Sequence, residues 1–600
     1  MKTFVLDFEA NGLLDTVTQI WCLSLADPET GIIETYSDHI DPGSVLKAIH
    51  KLLEADRLVA HNGIGYDFRV IEKLYGIVVP LEKMYDTLVV GRLLDPERSS
   101  GHSLRSYGLE MGIHKGEHTD FSQFSEEMLE YCEQDVRVTC ELYRRQLKEI
   151  PEWGQSVDLE HKVAWLIQKQ HEAGFQFDRK AGELLAAELL QEMHDLEKQL
   201  QEVFPPRYVP IKGTFVPKKS NDRSGYVALA PCTKVVLESF NPGSRQQVAD
   251  RLVRKYGWKP TVYTDGGSPE VSESVLARLN YPEAGLLARY FRIQKKYSQL
   301  AGAPKANGSG GGWLHHLDSG NRIHGRVNSN GAVTGRMTHS NPNSANIDKD
   351  PRMRSLFIAR PGWKLVGCDA DGLELRMLAH YLARWDGGEY ASAVVDGKKE
   401  DSTDAHSRTR DIVGLYSRDS AKTFIYALIY GGGDAKLGQI VMEDAKKAGK
   451  PIKGNPKVLG ATARSRIERG IKGLGELRKA VSVAHRTKGY LKGLDGRKLW
   501  VRSEHSALNT LLQSAGAVVM KQALWFTYSV FNHEGLDHGQ HYNFVANVHD
   551  EFQIEIHPDL NGDSVGQTAA DCIREAGMYL GVRCPLAGSY AIGNNWSETH

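Results

Sequence analysis

Little in this chain points away from a reducing, aqueous compartment. Seven cysteines among 600 residues is an odd number, with no Cys-x-x-Cys pair, so neither a disulfide framework nor a zinc site is indicated and a reducing cytosol fits. No apolar run approaches the roughly 20 residues of a membrane span. The start, Met1-Lys-Thr-Phe-Val-Leu-Asp7, meets a carboxylate too soon for a signal peptide. Internal repeats are missing as well. Charge of one sign is not in excess: 74 Lys and Arg stand against 75 Asp and Glu, a net charge of -1. At first sight that balance does not suggest a nucleic-acid binder. It still permits a local basic cleft beside acidic metal sites. Hydrophobic content of 41% and charged content of 25% are ordinary for a soluble globular protein. The length suffices for several domains with large cores.

What is present is a set of acidic turns with a basic helix stripe between them. The first is Leu365-Val-Gly-Cys-Asp369-Ala370-Asp371-Gly-Leu-Glu374-Leu-Arg376. The run Trp363 to Cys368 reads as a buried strand ending at Asp369. Gly372 permits a turn, and Glu374 to Trp385 has helical periodicity. The second is Val548-His549-Asp550-Glu551, between the runs Tyr542 to Val548 and Phe552 to Ile556. Both runs read as strands, so His549-Asp550-Glu551 is a hairpin tip. Between them in sequence, Arg418, Lys422, Tyr426 and Tyr430 recur at every fourth position. On a helix they form one stripe, ended by Gly431-Gly432-Gly433. Cations suit a triphosphate, and an aromatic ring suits a sugar and base. Taken singly, each acidic tip is equally an ordinary turn, and the stripe a solvated edge beside core tyrosines. Their order favours a phosphoryl-transfer site, in which two aspartates hold two divalent cations roughly 4 Å apart.

These stretches resemble the three signature motifs of family A (polymerase I-like) DNA polymerases. The closer likeness is to the replicative branch found in short-tailed bacteriophages, the T-seven type. The resemblance extends to Asn328-Ser-Asn-Gly-Ala-Val-Thr334-Gly-Arg336, Asp404-Ala-His406, Gly493-Leu-Asp-Gly-Arg497, Leu508-Asn509-Thr-Leu-Leu-Gln513-Ser-Ala-Gly516 and Gly593-Asn-Asn-Trp596. It implies that Asp369 and Asp550, with the Ala370 carbonyl, bind Mg2+ (two ions, with Mn2+ as a substitute), and that Glu551 accompanies them. Arg418, Lys422 and His406 would bind the dNTP triphosphate, and Tyr426 would stack at the nucleotide. Glu374 would crowd the sugar 2′ position, and Tyr430 would lie beside the template base. Arg336, Asn509, Gln513 and His549 would hold primer-template DNA. Two departures stand out. Asp371 replaces the usual Ser, and either points away or alters metal affinity. Asn343-Ser-Ala-Asn346-Ile-Asp348 replaces Asn-Leu-Gln-Asn-Ile-Pro, which leaves only Asn346 to compare.

A second acidic set lies at the N-terminus. Thr3-Phe-Val-Leu-Asp7-Phe-Glu9-Ala10 alternates like a strand, so Asp7 and Glu9 share a face. His61-Asn-Gly-Ile-Gly-Tyr66-Asp67 enters a helix at Phe68 to Leu74. In Tyr131-Cys-Glu-Gln-Asp135 the four-residue spacing puts Tyr131 and Asp135 on one helix face. Four carboxylates from three elements can hold two magnesium ions, with a tyrosine hydroxyl to orient water. The set resembles the Asp-Glu-Asp-Asp 3′-to-5′ exonucleases of the tyrosine subtype.

The expected fold is therefore α/β and multi-domain: a ribonuclease H-like exonuclease domain (1–150), then a right-hand polymerase domain (151–600). Its thumb is expected at about 180–310, its palm at about 311–390 and 530–600, and its fingers at about 391–529. Ala181 to Val203 reads as a long thumb helix. Phe240-Asn-Pro-Gly-Ser244 reads as a cap for the next helix, and Ala301 to Gly312 as a Gly-rich loop. An insert, 205–239, carries Arg207, Lys212, Lys218, Lys219 and Arg223. It reads equally as a basic flap touching DNA or a partner and as a solvated loop. It is smaller than the thumb insertion with which the T-seven-type enzyme grips thioredoxin, so thioredoxin is not expected as a partner. The resemblance further implies a monomer with no membrane attachment in the cytoplasm of an infected bacterial host. It would work beside a phage helicase-primase and a single-stranded-DNA-binding protein. The alternative is a polymerase I-like repair or gap-filling enzyme. That enzyme usually carries a 5′-nuclease domain, whereas this chain begins almost directly at the exonuclease.

Overall fold

The computed structural model describes residues 1–600 except 115, 212, 265 and 306–309. The chain forms two compact units. One comprises Met1–Phe175, His324–Ala345 and Ala359–His600, the other Gln176–Ile323 and Asn346–Ile358.

The first unit is built on two sheets. The N-terminal sheet has five strands in the order Ile33–Tyr36, Ile20–Ala26, Thr3–Ala10, Arg57–Ala60 and Met84–Asp86. Its first three strands are antiparallel, and the last two extend it in parallel. Alternation in Thr3–Ala10 sends Leu6, Phe8 and Ala10 into a core with Leu23, Ala48, Ile49 and Phe68. Asp7 and Glu9 stay partly exposed on the other face. The long helix Glu126–Glu149, capped by Ser125, packs on this sheet and buries Cys132, Asp135, Val136 and Thr139.

The second sheet is antiparallel, in the order Tyr542–Val548, Glu551–Ile556, Lys364–Ala370, Gly588–Gly593. Its register places Asp369 opposite both Glu551 and Ser589. Leu365, Val366 and Cys368 are fully buried, as the apolar run before Asp369 requires. A Cβ at Gly367 would stand 2.2 Å from the Thr599 carbonyl oxygen, so the final residues can lie across the strand only at a glycine. The helix Leu373–Asp386 follows the strand directly, started by Gly372 at φ 56°. The helix Arg418–Ile429 is capped by Ser417 and buries Ala421, Phe424, Ile425, Leu428 and Ile429. That leaves Arg418, Lys422 and Tyr426 on its other face.

In the second unit the helix Arg179–Val203, capped by Asp178, packs against Ala284–Ala301. Ser244 caps Arg245–Tyr256, as expected. The insert contains a two-stranded hairpin, Arg207–Pro210 with Val235–Glu238. Lys218 and Lys219 are exposed, and Lys212 lies outside the described residues. Its surface is less uniformly basic than the sequence suggests. Tyr208, Val227, Leu229 and Val236 are exposed, and Arg207 is bound to Asp250. Part of the Gly-rich stretch 301–312 also lies outside the described residues.

Candidate active sites

The end of the sheet that carries Asp369 brings the two acidic tips together. The Ala370 amide donates to the Asp550 carbonyl at 3.0 Å, which fixes the hairpin tip against the end of the central strand. His549 takes φ 57° to turn that tip, and burial and Arg336 hold its pKa below the usual range. Burial, then Glu551, raises the Asp369 pKa to about 6. Asp550 is pushed up to about 7 by burial, Glu374 and Asp369, against the pull of Arg336. Carboxylates that burial and mutual repulsion drive toward protonation suit a divalent cation, which removes that cost. The donor set is hard oxygen, as magnesium prefers.

Around them stand the groups of the helix stripe. The Tyr430 hydroxyl donates to Glu374 at 2.8 Å. Arg336 lies 3.6 Å from Glu374 and 3.9 Å from Asp550. The Tyr426 ring lies 6.1 Å from Tyr430 and 6.2 Å from His406. Its pKa is pushed up to about 12 by burial, Glu374 and Asp550, so the ring borders the acidic end of the sheet. Arg418 donates to Asp404 at 2.8 Å, and Lys422 is exposed. Burial, with Arg418 nearby, lowers the His406 pKa. Asn509 and Gln513 sit one turn apart on the helix Ala507–His533. The Asn509 side-chain oxygen is buried without a hydrogen-bond partner among the described residues. Asp371 turns aside: it accepts from Ser589 at 2.9 Å. Glu551 is engaged on both oxygens, by Trp596 Nε1 at 2.6 Å and His600 Nδ1 at 2.5 Å.

In the N-terminal sheet, Asp7, Glu9 and Asp135 each present an oxygen within 4.8 Å of the others. That triple, from one strand and one helix, is compatible with a hard divalent cation. Asp67 falls outside the triple but shares its neighbourhood. Burial, followed by Asp67, Glu9 and Asp7 together, raises the Tyr66 hydroxyl to about 12. Burial, then Asp86, raises Asp67 itself. The Tyr131 ring packs beside His118 and Phe121. Lys218 and Lys219 belong to the other unit and to neither cluster.

Sequence reasoning missed two supporting residues, Asp86 and His600, and gave a third, Asp404, no role of its own. Asp86 accepts from the amides of Asn62, Ile64 and Leu88 at 3.0, 3.1 and 2.9 Å, so it shapes the turn leading to Asp67. Its signal was the Asp-Thr pair before an apolar helix, a cap signature. Asp404 caps its own helix and grips Arg418. His600 pairs with Glu551, and no local pattern announces it.

The chain matches the family model for DNA polymerase family A over residues 228–598. It is 34% identical to the DNA-directed DNA polymerase of Escherichia phage T7, over 99% of this chain and 100% of that protein. The same identity and coverage hold for the DNA-directed DNA polymerase of Enterobacteria phage T3. Both alignments are 722 positions long, so these relatives contain stretches that this shorter chain lacks. Among solved structures, the POL domain of Pol1 from M. smegmatis, in complex with DNA primer-template and dNTP, gives a TM-score of 0.75 at 17% identity. That match covers 99% of this chain and 95% of the other. At that identity the likeness speaks for the fold alone.

Proposed function

The chain belongs to family A of the DNA polymerases and is a DNA-directed DNA polymerase; on that premise we propose that it replicates phage DNA and proofreads its own product. The observation that carries the polymerase assignment of residues is the joining of Asp369 and Asp550 at one end of the sheet, bordered by Tyr426 and Glu374. In this reading Asp369 and Asp550, with the Ala370 carbonyl, hold Mg2+ or its substitute Mn2+. When bound, two such ions would neutralise the phosphate oxygens and activate the primer hydroxyl. Arg418, Lys422 and His406 bind the triphosphate, with Asp404 orienting Arg418. Tyr426 stacks on the nucleotide. Glu374, held by Tyr430, closes the space a 2′ hydroxyl would need. Arg336, Asn509, Gln513 and His549 hold the primer-template near its end. Glu551, oriented by Trp596 and His600, accompanies the metal pair.

The exonuclease reading rests on the Asp7, Glu9 and Asp135 triple, with Asp67 and two magnesium ions completing the site. Tyr131 orients water for attack on the terminal phosphodiester. The phage relatives support a replicative role in an infected bacterium; the reading further places the enzyme in its cytoplasm, beside a helicase-primase and a single-stranded-DNA-binding protein. No helix is long and apolar enough to cross a membrane among the described residues. The enzyme is read as a monomer that works without thioredoxin, a reading supported for thioredoxin alone by the shorter chain, with Lys218 and Lys219 of the insert adding phosphate contacts.

The test of proofreading is degradation of a 5′-labelled single strand with magnesium and no nucleotide. Wild type should shorten it from the 3′ end. Asp7→Ala with Glu9→Ala should stop this, and Tyr131→Phe should slow it. Retained degradation by the double variant would move the hydrolytic site elsewhere.

A further inference from the structure

The turn that presents Arg336 is gripped by a guanidinium far along the chain. Arg497 ends the turn that joins the strands Tyr490–Lys492 and Lys498–Trp500 and is 1% exposed. Its Nη1 donates to the Asn330 side-chain oxygen at 3.2 Å, and its Nη2 to Glu160 at 2.7 Å. Nε and Nη2 also bond Asp495, at 2.9 and 2.7 Å. Asn330 is 2% exposed. Its amide donates to the Arg92 carbonyl at 2.8 Å. At the other end of the same turn, Gly335 adopts φ +72°, and a Cβ there would lie 2.4 Å from Arg497 Nη1. One guanidinium therefore touches both ends of the segment 330–335. The next residue is Arg336, near Glu374 and Asp550.

An ion cluster kept only for stability would be indifferent to what it touches. Buried ion pairs are weak devices for stability and better ones for fixing a geometry. Here the one bond not given to an acid goes from Nη1 to Asn330, in the turn that leads to Arg336. The planar fork of arginine suits this, since it fixes direction as well as charge. The Asn330 bond to Arg92 ties the same turn to the helix Thr87–Leu94, which follows the last strand of the N-terminal sheet.

We infer that Asn330 and Arg497 are positioning residues that hold Arg336 at the primer terminus. The inference rests on the reading of Arg336 as a primer-template contact.

A double-mutant cycle tests it, because coupling appears as non-additivity between residues that act through one another. Single-turnover incorporation of one dNTP is measured for wild type, Asn330→Ala, Arg336→Ala and the double variant, with thermal melting of each. Asn330→Ala should slow incorporation on the order of tenfold in the wild-type background, the size of coupling between residues sharing a network. In the Arg336→Ala background the same change should cost less than about twofold. Melting should fall by a similar amount in both backgrounds, because the lost buried bonds are the same in each. An equal loss in both backgrounds, or no loss in either, overturns the inference. If Arg336→Ala alone leaves incorporation and primer-template affinity unchanged, the reading of Arg336 itself fails, and the inference with it. Should Asn330→Ala not fold, Asn330→Asp, which keeps an acceptor for Arg497, enters the same cycle with the same criteria.

Discussion

Replacing Glu160 by Gln should destabilise the protein in a way that depends on pH. Glu160, Asp495, Arg497 and Lys521 are all buried and form a cluster of two acids and two bases. Glu160, on the helix Ser156–Ala173, accepts from Arg497 at 2.7 Å and from Lys521 of the helix Ala507–His533. Gln would leave two cations facing one carboxylate. Removing one partner of a buried pair costs about 3–5 kcal/mol. Arginine cannot shed its proton, but lysine can. Burial already lowers the Lys521 pKa to about 8, with Glu160 opposing the shift and Arg497 adding to it. Neutralising a lysine from its ordinary 10.5 costs about 4.8 kcal/mol at pH 7, and about 1.4 kcal/mol less per pH unit above that.

The sign follows from proton binding. In wild type the folded lysine binds fewer protons than the unfolded one between about 8 and 10.5, so stability rises with pH across that window. Without Glu160 the folded pKa falls further, and the window opens below 8. The deficit of the variant should therefore shrink by up to about 1.4 kcal/mol per unit as pH rises from about 6 toward 8, then stay level. Melting curves of both proteins across that range measure it. A variant as stable as wild type, or a deficit independent of pH, refutes the reasoning.

Three further outcomes follow from the polymerase site. Glu374→Ala removes the carboxylate that Tyr430 holds. Discrimination against ribonucleotides in single-nucleotide incorporation should fall by roughly one to two orders of magnitude. Tyr426→Phe removes a hydroxyl that, in the family, replaces the contact of a missing 3′ group. Wild type should terminate readily with dideoxynucleotides, and the variant should reject them roughly 10- to 100-fold more strongly; equal termination by both contradicts this. Asp404→Ala releases Arg418. Burial would raise the Asp404 pKa, yet Arg418 and Ser407 hold it at about 2, which marks a strong contact. The dNTP KM should rise about tenfold while kcat changes less, and an unchanged KM would show that Asp404 does not orient the cation.

Much of this was legible because local chemistry and tertiary role coincide. Asp369 follows an apolar strand, and Asp550 sits at a hairpin tip between two others. In both cases the hydrophobic pattern stops where the site begins. The stripe from Arg418 to Tyr430 was readable because helical period and function use the same spacing. The Asp7 and Glu9 face followed from strand alternation alone, and the helix spacing of Tyr131 and Asp135 from the same kind of argument. Other features depend on distant residues. Asp371 could either point away or alter metal affinity, and only Ser589, far along the chain, shows it turned aside. Both Glu551 oxygens are engaged by Trp596 and His600, which no pattern near Glu551 announces. The insert looked basic because charges are easily counted, but Arg207 is paired and apolar side chains share the surface. Arg497 could be noted as part of a motif, but its grip on Asn330 and Gly335 exists only once the chain is folded.

On the proposed reading one chain holds two separable sites, with Asp369 and Asp550 making the bond and Asp7, Glu9 and Asp135 breaking it. The direct measurement is a single labelled primer-template given to wild type, Asp369→Ala, Asp550→Ala and the Asp7→Ala with Glu9→Ala variant, with and without dNTPs. Wild type should extend with nucleotides and degrade without them. Asp369→Ala and Asp550→Ala should only degrade, and the double variant should only extend. Near-normal extension by Asp369→Ala or Asp550→Ala, or loss of both activities from changing one cluster, would contradict the account.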